Sequence, residues 1–592
     1  MISRFAPRAI LGGLLVAAAI AVPAWADPLP VVKGEVYRGS PEAKAGLALA
    51  TTEAQFPARL LRLAAPAESE FVPAEKPGPG PKARDIGFGR RLADQVADGE
   101  STEFEFRRAG EARVAKLRIV SPGAAALRVS LKVGGSAQPV TLRFAGSDDE
   151  ARVLGPVRLA GPLGATPAYW TPVTSGEAQV IEIVSAAGDV PPVITVEQVS
   201  HLVSGPGTMF AKGISDIGRA GSCNIDVACV ASPSQALLQA ASAVVHMVFT
   251  KRSGLTTYCT GTLLADTDAS SQIPYLYGAN HCFEASTPPY NTPAQMQQVA
   301  STLNTWFFFD AVSCRSSQVP PFVQRFGGAT YLYSSLSQDV LFLQLNDSPP
   351  AGTFLTGWNP NPMETGNAIT VLHHPQGDLK KFSTGTYEGN TTLSTPLNAS
   401  TGYQRVTYRQ GTTEGGSSGA GVLTLDGTLG QYLLRGGLWG GDASCSAPAA
   451  PDYFSRFDIA YSSLRPWLQP ATGPAFNVTD MWWNAAESGW GLNLTHHASG
   501  QVFGVWYTYT APNRPYWLIL SGGQWVNGNV FTGKLYTVSG PHYAQPTFDT
   551  TKVITREVGV MTLTFSGDGN NASFTWSVDG VNGVKLITRQ PF

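Results

Sequence analysis

Three short segments carry the residue types that nucleophilic chemistry needs. The first, Tyr275-Leu-Tyr-Gly-Ala-Asn-His-Cys282, is an apolar run ending in a histidine beside a cysteine. The second, Ser337-Gln-Asp-Val-Leu-Phe-Leu-Gln-Leu345, sets an aspartate at the mouth of an apolar run. The third, Glu414-Gly-Gly-Ser-Ser-Gly-Ala-Gly421, is a glycine-rich turn around a serine pair. A serine hydroxyl is a poor nucleophile at neutral pH, so an imidazole must take its proton. A carboxylate must hold that imidazole in one tautomer and stabilise its cation. Glycines around the serine let backbone N–H groups face a developing oxyanion, a contribution of about 3–4 kcal/mol per donor.

Each segment alone has a plain reading. Gly-Ser-Ser-Gly is most often a loop, an aspartate before an apolar run is usually a cap, and a His-Cys pair can be an ordinary disulfide neighbourhood. Their combination is far more specific. His281, Asp339 and Ser418 follow in that order, 58 and 79 residues apart. That is the order of the chymotrypsin template rather than that of subtilisin or the α/β-hydrolases.

The rest of the chain has to position these groups. It has 592 residues, 43% hydrophobic and only 14% charged, with 63 Gly and 43 Pro, which predicts three to four β-rich globular domains. A net charge of −2 supplies no global field for nucleic acid or an anionic membrane, so neither is an expected partner. Residues 1–26 read as a secretory signal: Arg4 and Arg8, an apolar run from Ala9 to Val22, and Ala24-Trp25-Ala26 before a cut ahead of Asp27. The run is too short for a bilayer span, and the mature protein is expected to be secreted through the periplasm. All six cysteines (Cys223, Cys229, Cys259, Cys282, Cys314 and Cys445) fall in one window. In an exported chain an even set argues for three disulfides, with fifteen pairings open. No C-x-x-C occurs, and no metal or other cofactor is expected. His373-His374 and His496-His497 have no ligand-spaced partners and read as packed residues.

The cysteine window divides the chain. Residues 27–219 are read as a β-rich propeptide with a Pro/Gly hinge at Lys76-Pro-Gly-Pro-Gly-Pro-Lys82. Its alternating runs Ala112–Val120 and Leu127–Val133 predict half-buried strands. Residues 220–469 form the cysteine-bearing domain, and Pro470-Ala-Thr-Gly-Pro474 reads as a linker. Residues 475–592 hold seven of the thirteen tryptophans and predict a small all-β domain, with Val502–Tyr509 and Tyr516–Leu520 as a hairpin. Most of its aromatics should be core, with a polymer or carbohydrate ligand the competing reading.

Residues 220–469 resemble the lysyl endopeptidase group of bacterial trypsin-like serine proteases. The landmarks are Ser222-Cys-Asn-Ile-Asp-Val-Ala-Cys229, Gly278-Ala-Asn-His-Cys282, Leu372-His-His-Pro375, Gly416-Ser-Ser-Gly419, Leu438-Trp-Gly-Gly441 and Ser444-Cys-Ser446. Asp85-Ile-Gly-Phe-Gly-Arg90 and Gln198-Val-Ser-His-Leu202 resemble the propeptide of that group. The resemblance implies an all-β fold of two six-stranded antiparallel barrels. It implies His281 as general base, Asp339 as its orienter, Ser418 as nucleophile, and Gly416 and Ser418 N–H groups as the oxyanion hole. It also implies disulfides Cys223–Cys445, Cys229–Cys314 and Cys259–Cys282. Asp452 would floor the S1 pocket, with Trp439 and Gly440 as the wall along the substrate backbone; the plain alternative is a surface-loop aspartate.

A buried carboxylate selects a cationic side chain, so the expected partners are protein or peptide substrates with a basic P1 residue. Trp439 stands where the best-known lysine-specific pattern has histidine, which leaves arginine open beside lysine. Ser417 precedes the nucleophile where trypsin-like enzymes commonly carry an aspartate that pairs with a new N-terminal amine. The propeptide is therefore expected to act as an intramolecular inhibitor, removed by self-cleavage after Lys212 or Arg219. The competing reading is a secreted binding protein on a lapsed protease scaffold, working through its Trp-rich domain. An esterase is a second alternative.

Overall fold

The computed structural model describes residues 29–39, 48–67, 80–92, 102–134, 139–159, 168–186, 192–205, 214–215, 217–268, 271–285, 287–393, 402–469, 476–497, 500–544, 549 and 552–591. The signal segment 1–26, Lys212 and the linker 470–474 lie outside them.

The first third of the chain is a two-sheet sandwich. One sheet is built on Ala112–Val120, Ala178–Ala186 and Val140–Gly146, the other on Ala126–Gly134, Val193–Leu202 and Arg84–Arg91. Leu117, Ile119, Leu142 and Ile181 of the first meet Leu127, Val129, Leu131 and Ile194 of the second in one core. Alternation predicts one wet face for each strand, but in both part of the polar face (Lys116 on the first, Arg128 and Ser130 on the second) is buried too. On Ala112–Val120 the cause is the 48–53 segment: Ala50 and Thr51 N–H donate to Glu182 (2.6 and 3.0 Å), which also lies 3.9 Å from Lys116. On Ala126–Gly134 the cause is the next domain, since fully buried Arg128 donates to the Thr302 carbonyl at 2.5 Å.

The two motifs that resemble the propeptide are neighbouring strands, with Gln198 opposite Arg91 and Leu202 opposite Gly87. The Arg84–Arg91 strand then pairs with Thr256–Leu264 of the cysteine-bearing domain, so one sheet runs through both. The hinge reading fails at its C-terminal end. Gly80–Pro81 is a short strand paired with Gly441 and Gly440, because those two glycines leave open backbone beside it.

The cysteine-bearing domain has two barrels. In the second, Lys381–Thr391, Ala368–His373, Gly421–Asp426, Gln431–Gly441, Asp452–Phe454 and Tyr403–Gln410 close into a six-membered ring. The first departs from six. Seven strands curl together: Val323–Arg325, Asn304–Phe307, Val244–Thr250, Thr256–Leu264, Tyr275–Gly278, Val340–Leu345 and Ala329–Ser335. The added strand is the short Val323–Arg325, which pairs only with Asn304–Phe307 among the described residues. Helix Phe457–Leu468 packs Phe457, Tyr461 and Leu464 into the core between the barrels.

Residues 480–589 form a separate closed barrel of eight antiparallel strands. Val502–Thr510 and Arg514–Asn527 are its central hairpin. Trp482, Trp506, Trp525 and Phe574 fill the interior, whereas Phe503, Tyr507, Tyr509 and Trp517 stay exposed outside. No helix among the described residues is long and apolar enough to cross a membrane.

Candidate active site

His281, Asp339 and Ser418 converge where the two barrels meet. His281 sits on the turn Asn280–Phe283 directly after the buried strand Tyr275–Gly278. The next residue, Cys282, is bridged to Cys259 on the adjacent strand, which fixes the turn. Asp339 stands just ahead of Val340–Leu345, the strand paired with Tyr275–Gly278, so the ladder brings aspartate and histidine together. Its carboxylate accepts from the His281 backbone N–H at 2.9 Å and from the ring Nδ1 at 2.8 Å. With Nδ1–H so committed, Nε2 presents its lone pair to the Ser418 hydroxyl at 2.7 Å. This array can move a proton from a serine hydroxyl onto an imidazole whose cation is stabilised from behind.

Gly416, at φ +95°, turns the loop ahead of the serine; a Cβ there would lie 2.8 Å from the His374 carbonyl. The N–H groups of Gly416 and Ser418 point at one oxygen, the carbonyl of Lys82, at 2.5 and 3.3 Å. Ser417 is fully buried and bonded to His373. Ser383 donates to the Thr412 carbonyl, so its oxygen accepts from His373 Nε2–H at 3.2 Å. His373 Nδ1 then accepts from Ser417 at 2.8 Å, and Ser417 in turn accepts from the Glu414 N–H at 3.2 Å. Burial, with Lys82 and Lys381 nearby, lowers the His373 pKa to about 3 and keeps the ring neutral. The loop is thus braced without an aspartate before the serine.

Asp452 is fully buried, not on a surface loop. One oxygen lies 2.7 Å from Lys82 Nζ. The other accepts from Tyr408 at 3.0 Å and from the Thr413 hydroxyl. Lys82 Nζ also donates to Thr413 O (3.0 Å), Thr413 Oγ1 (2.8 Å) and Ala443 O (2.9 Å). Burial pushes the Lys82 pKa down against the pull of Asp452. The Trp439 carbonyl accepts from Lys82 N–H at 3.3 Å. A Cβ on Gly440 would strike the Gly80 carbonyl, so glycine is what lets Gly80–Pro81 lie here.

Sequence reasoning missed Tyr408, Thr413 and Lys82. Thr413 lies five residues before Ser418 and was within reach, but Tyr408 and Lys82 enter only through the fold. Arg219 lies elsewhere, at the Asp378 carboxylate, which accepts from Gly218 and Ala220 N–H at 2.9 and 3.1 Å. The other disulfides join Cys223 to Cys445 and Cys229 to Cys314. Among the described residues no cluster of ligating side chains could hold a metal, and His373 and His374 are fully buried in their strand and turn.

Two antiparallel barrels with the His281, Asp339 and Ser418 side chains at their seam define an all-β, trypsin-like fold. Family models for the lysyl endopeptidase C-terminal and N-terminal domains match residues 217–455 and 62–203. The lysyl endopeptidase of Pseudomonas aeruginosa is 32% identical over 459 residues, covering 74% of this chain and 92% of that relative. Crystal structures of the Rv3671c protease, one titled as the active form from M. tuberculosis and one as the inactive form, are each 16% identical and cover 40% of this chain. They are covered over 88% and 96% of their own lengths, with TM-scores of 0.26 and 0.24. The chain belongs to the lysyl endopeptidase family and is a serine endopeptidase.

Proposed function

We propose that this protein is a secreted endopeptidase that hydrolyses peptide bonds after lysine, and that it is made as a precursor whose 27–219 region keeps it inactive. Ser418 attacks the carbonyl carbon and passes its proton to His281, which Asp339 orients. Gly416 and Ser418 N–H groups hold the oxyanion, and an acyl-enzyme at Ser418 is then hydrolysed by water. The observation that carries the specificity is the direct 2.7 Å contact between a lysine ammonium and Asp452. The longer, planar guanidinium of arginine would have to displace the pocket floor or the Thr413 and Ala443 carbonyls to fit, so lysine is preferred. The terminal barrel is read as an accessory binding module for a polymer or carbohydrate; its support is the outward aromatic strip in which Tyr507 faces Trp517.

The test is kcat/KM on matched peptides with Lys, Arg, Leu or Ala at P1, for the processed wild type and Ser418→Ala. We expect Lys to exceed Arg by about tenfold or more, and Ser418→Ala to lose roughly 10⁴-fold or more. Correctly processed protein that cleaves none of the four would overturn the reading in favour of a lapsed scaffold.

A further inference from the structure

The pocket and oxyanion donors described above are occupied by the chain itself. Residues 80–87 cross the site as one extended segment, and four independent sets of contacts hold it. Lys82 Nζ is on Asp452 at 2.7 Å. The Lys82 carbonyl oxygen accepts from Gly416 and Ser418 N–H at 2.5 and 3.3 Å. On the upstream side, Lys82 N–H donates to Trp439, and Gly80 and Pro81 pair with Gly441 and Gly440. On the downstream side, Arg84, Asp85 and Gly87 pair with Tyr258, Thr257 and Thr256. A lysine that entered the pocket by chance would satisfy the first set alone. Satisfying all four is what a peptide substrate does.

We infer that the prodomain closes the site by holding its own Lys82–Ala83 bond there as a substrate, and that this is the first bond the enzyme hydrolyses in its precursor. The inference rests on the proposed function. In the reaction, Ser418 Oγ bonds to the Lys82 carbonyl carbon and its proton moves to His281 Nε2. The tetrahedral carbon then expels the Ala83 nitrogen, which takes that proton. One water releases Lys82 as a carboxylate and restores the serine hydroxyl.

The two sides of this bond are held unequally. Downstream, Arg84–Arg91 is locked between Val193–Leu202 and Thr256–Leu264, so the new Ala83 amine stays beside the acyl carbon and recombination slows release. Upstream, the described ladder is two residues long, so the Lys82 end is the one that leaves and empties the pocket. While Lys82 is in place the pocket cannot take Arg219, whose neighbours Gly218 and Ala220 are tied to Asp378. Cleavage at Lys82 therefore precedes cleavage near residue 219.

The test compares full-length Ser418→Ala with the same chain carrying Lys82→Ala, or Lys82→Met, which keeps the aliphatic stem if alanine disturbs folding. Each is titrated with a fluorescent peptide amide ending in lysine. Binding should be at least 100-fold tighter once Lys82 is replaced. In parallel, N-terminal sequencing of the wild-type chain over time should find a start at Ala83 before any start between residues 213 and 220, and Lys82→Ala should abolish it. Equal peptide binding by the Ser418→Ala chains would overturn the latch. A vacated pocket with no Ala83 start would overturn the cleavage. If processed enzyme cuts lysyl peptides while either result is negative, this inference fails and the proposed function stands. If processed enzyme cuts nothing, the function fails, and the peptide titration still decides the latch because it needs no chemistry.

Discussion

Replacing Asp452 by asparagine tests the specificity argument most directly. The carboxylate has no solvent exposure, contacts a lysine ammonium at 2.7 Å with one oxygen, and is bonded to Tyr408 and Thr413 through the other. Asparagine keeps the volume and one carbonyl oxygen. Tyr408 and Thr413 both donate, so that oxygen turns to them and the amide NH₂ faces the substrate ammonium. A buried cation is then left without its counter-ion, which typically costs about 3–5 kcal/mol. At 1.36 kcal/mol per decade this is a loss of roughly 10²–10⁴ in kcat/KM for a lysyl peptide. The three neutral acceptors at 2.8–3.0 Å keep the remainder from vanishing. A leucyl peptide makes no use of the carboxylate, so its kcat/KM should stay within a few fold. The assay is the Lys/Leu ratio of kcat/KM for processed enzyme, normalised by titration of Ser418 with a serine-directed phosphonate. A ratio that falls by less than about tenfold would refute the assignment of Asp452 as the specificity residue.

Two further outcomes follow from the packing around the site. His246 is fully buried between Trp306 and Tyr258, neither ring nitrogen has a hydrogen-bond partner among the described residues, and burial lowers its pKa from 6.5 to about 3. A depressed pKa means the unfolded chain takes up the proton first, so its stabilising effect is complete above pH 6.5 and is lost as pH falls toward 3. His374, packed against it and near Lys380, has its pKa lowered by burial and works with the same sign. His246→Phe should reduce the acid-side slope of urea stability by about 1.4 kcal/mol per pH unit, and an unchanged slope between pH 6 and 4 would contradict this. Replacing Cys259 and Cys282 together by alanine should lower stability by about 2–5 kcal/mol, read from denaturant midpoints. It should also lower kcat more than it raises KM, because the bridge holds the His281 turn and not the pocket; a pure KM effect would speak against that role.

Much of the proposed chemistry is legible in the residues. The order His281, Asp339, Ser418, the glycines around the serine and the even cysteine count each follow from what acyl transfer and export require, and none depends on distant contacts. The same holds for the strand-rich character and the Val502–Thr510 hairpin, whose alternation and turn are local signals. What alternation could not report was the second face of the strands in the N-terminal domain. Lys116 and Arg128 look solvated in sequence but are buried by a loop at residues 48–53 and by another domain. Nor could it report the seventh strand of the first barrel, a three-residue edge piece with no periodicity of its own.

Residue type and spacing therefore determined which groups could act and in what kind of scaffold. The tertiary structure decided what lies against them. Lys82 and Asp452 are 370 residues apart, and nothing near either one announces the other. Gly80–Pro81, the end of the hinge-like run that the structure describes, became a strand in the cleft because Gly440 and Gly441 left backbone free to receive it. Local composition sets what a segment can do by itself. The ion pair of Lys82 and Asp452 forms because Gly80–Pro81 pairs with Gly440 and Gly441, the glycines that lie beside the Asp452 strand, while Arg84–Arg91 is held in the sheet of the other barrel, and that is a property of the fold alone.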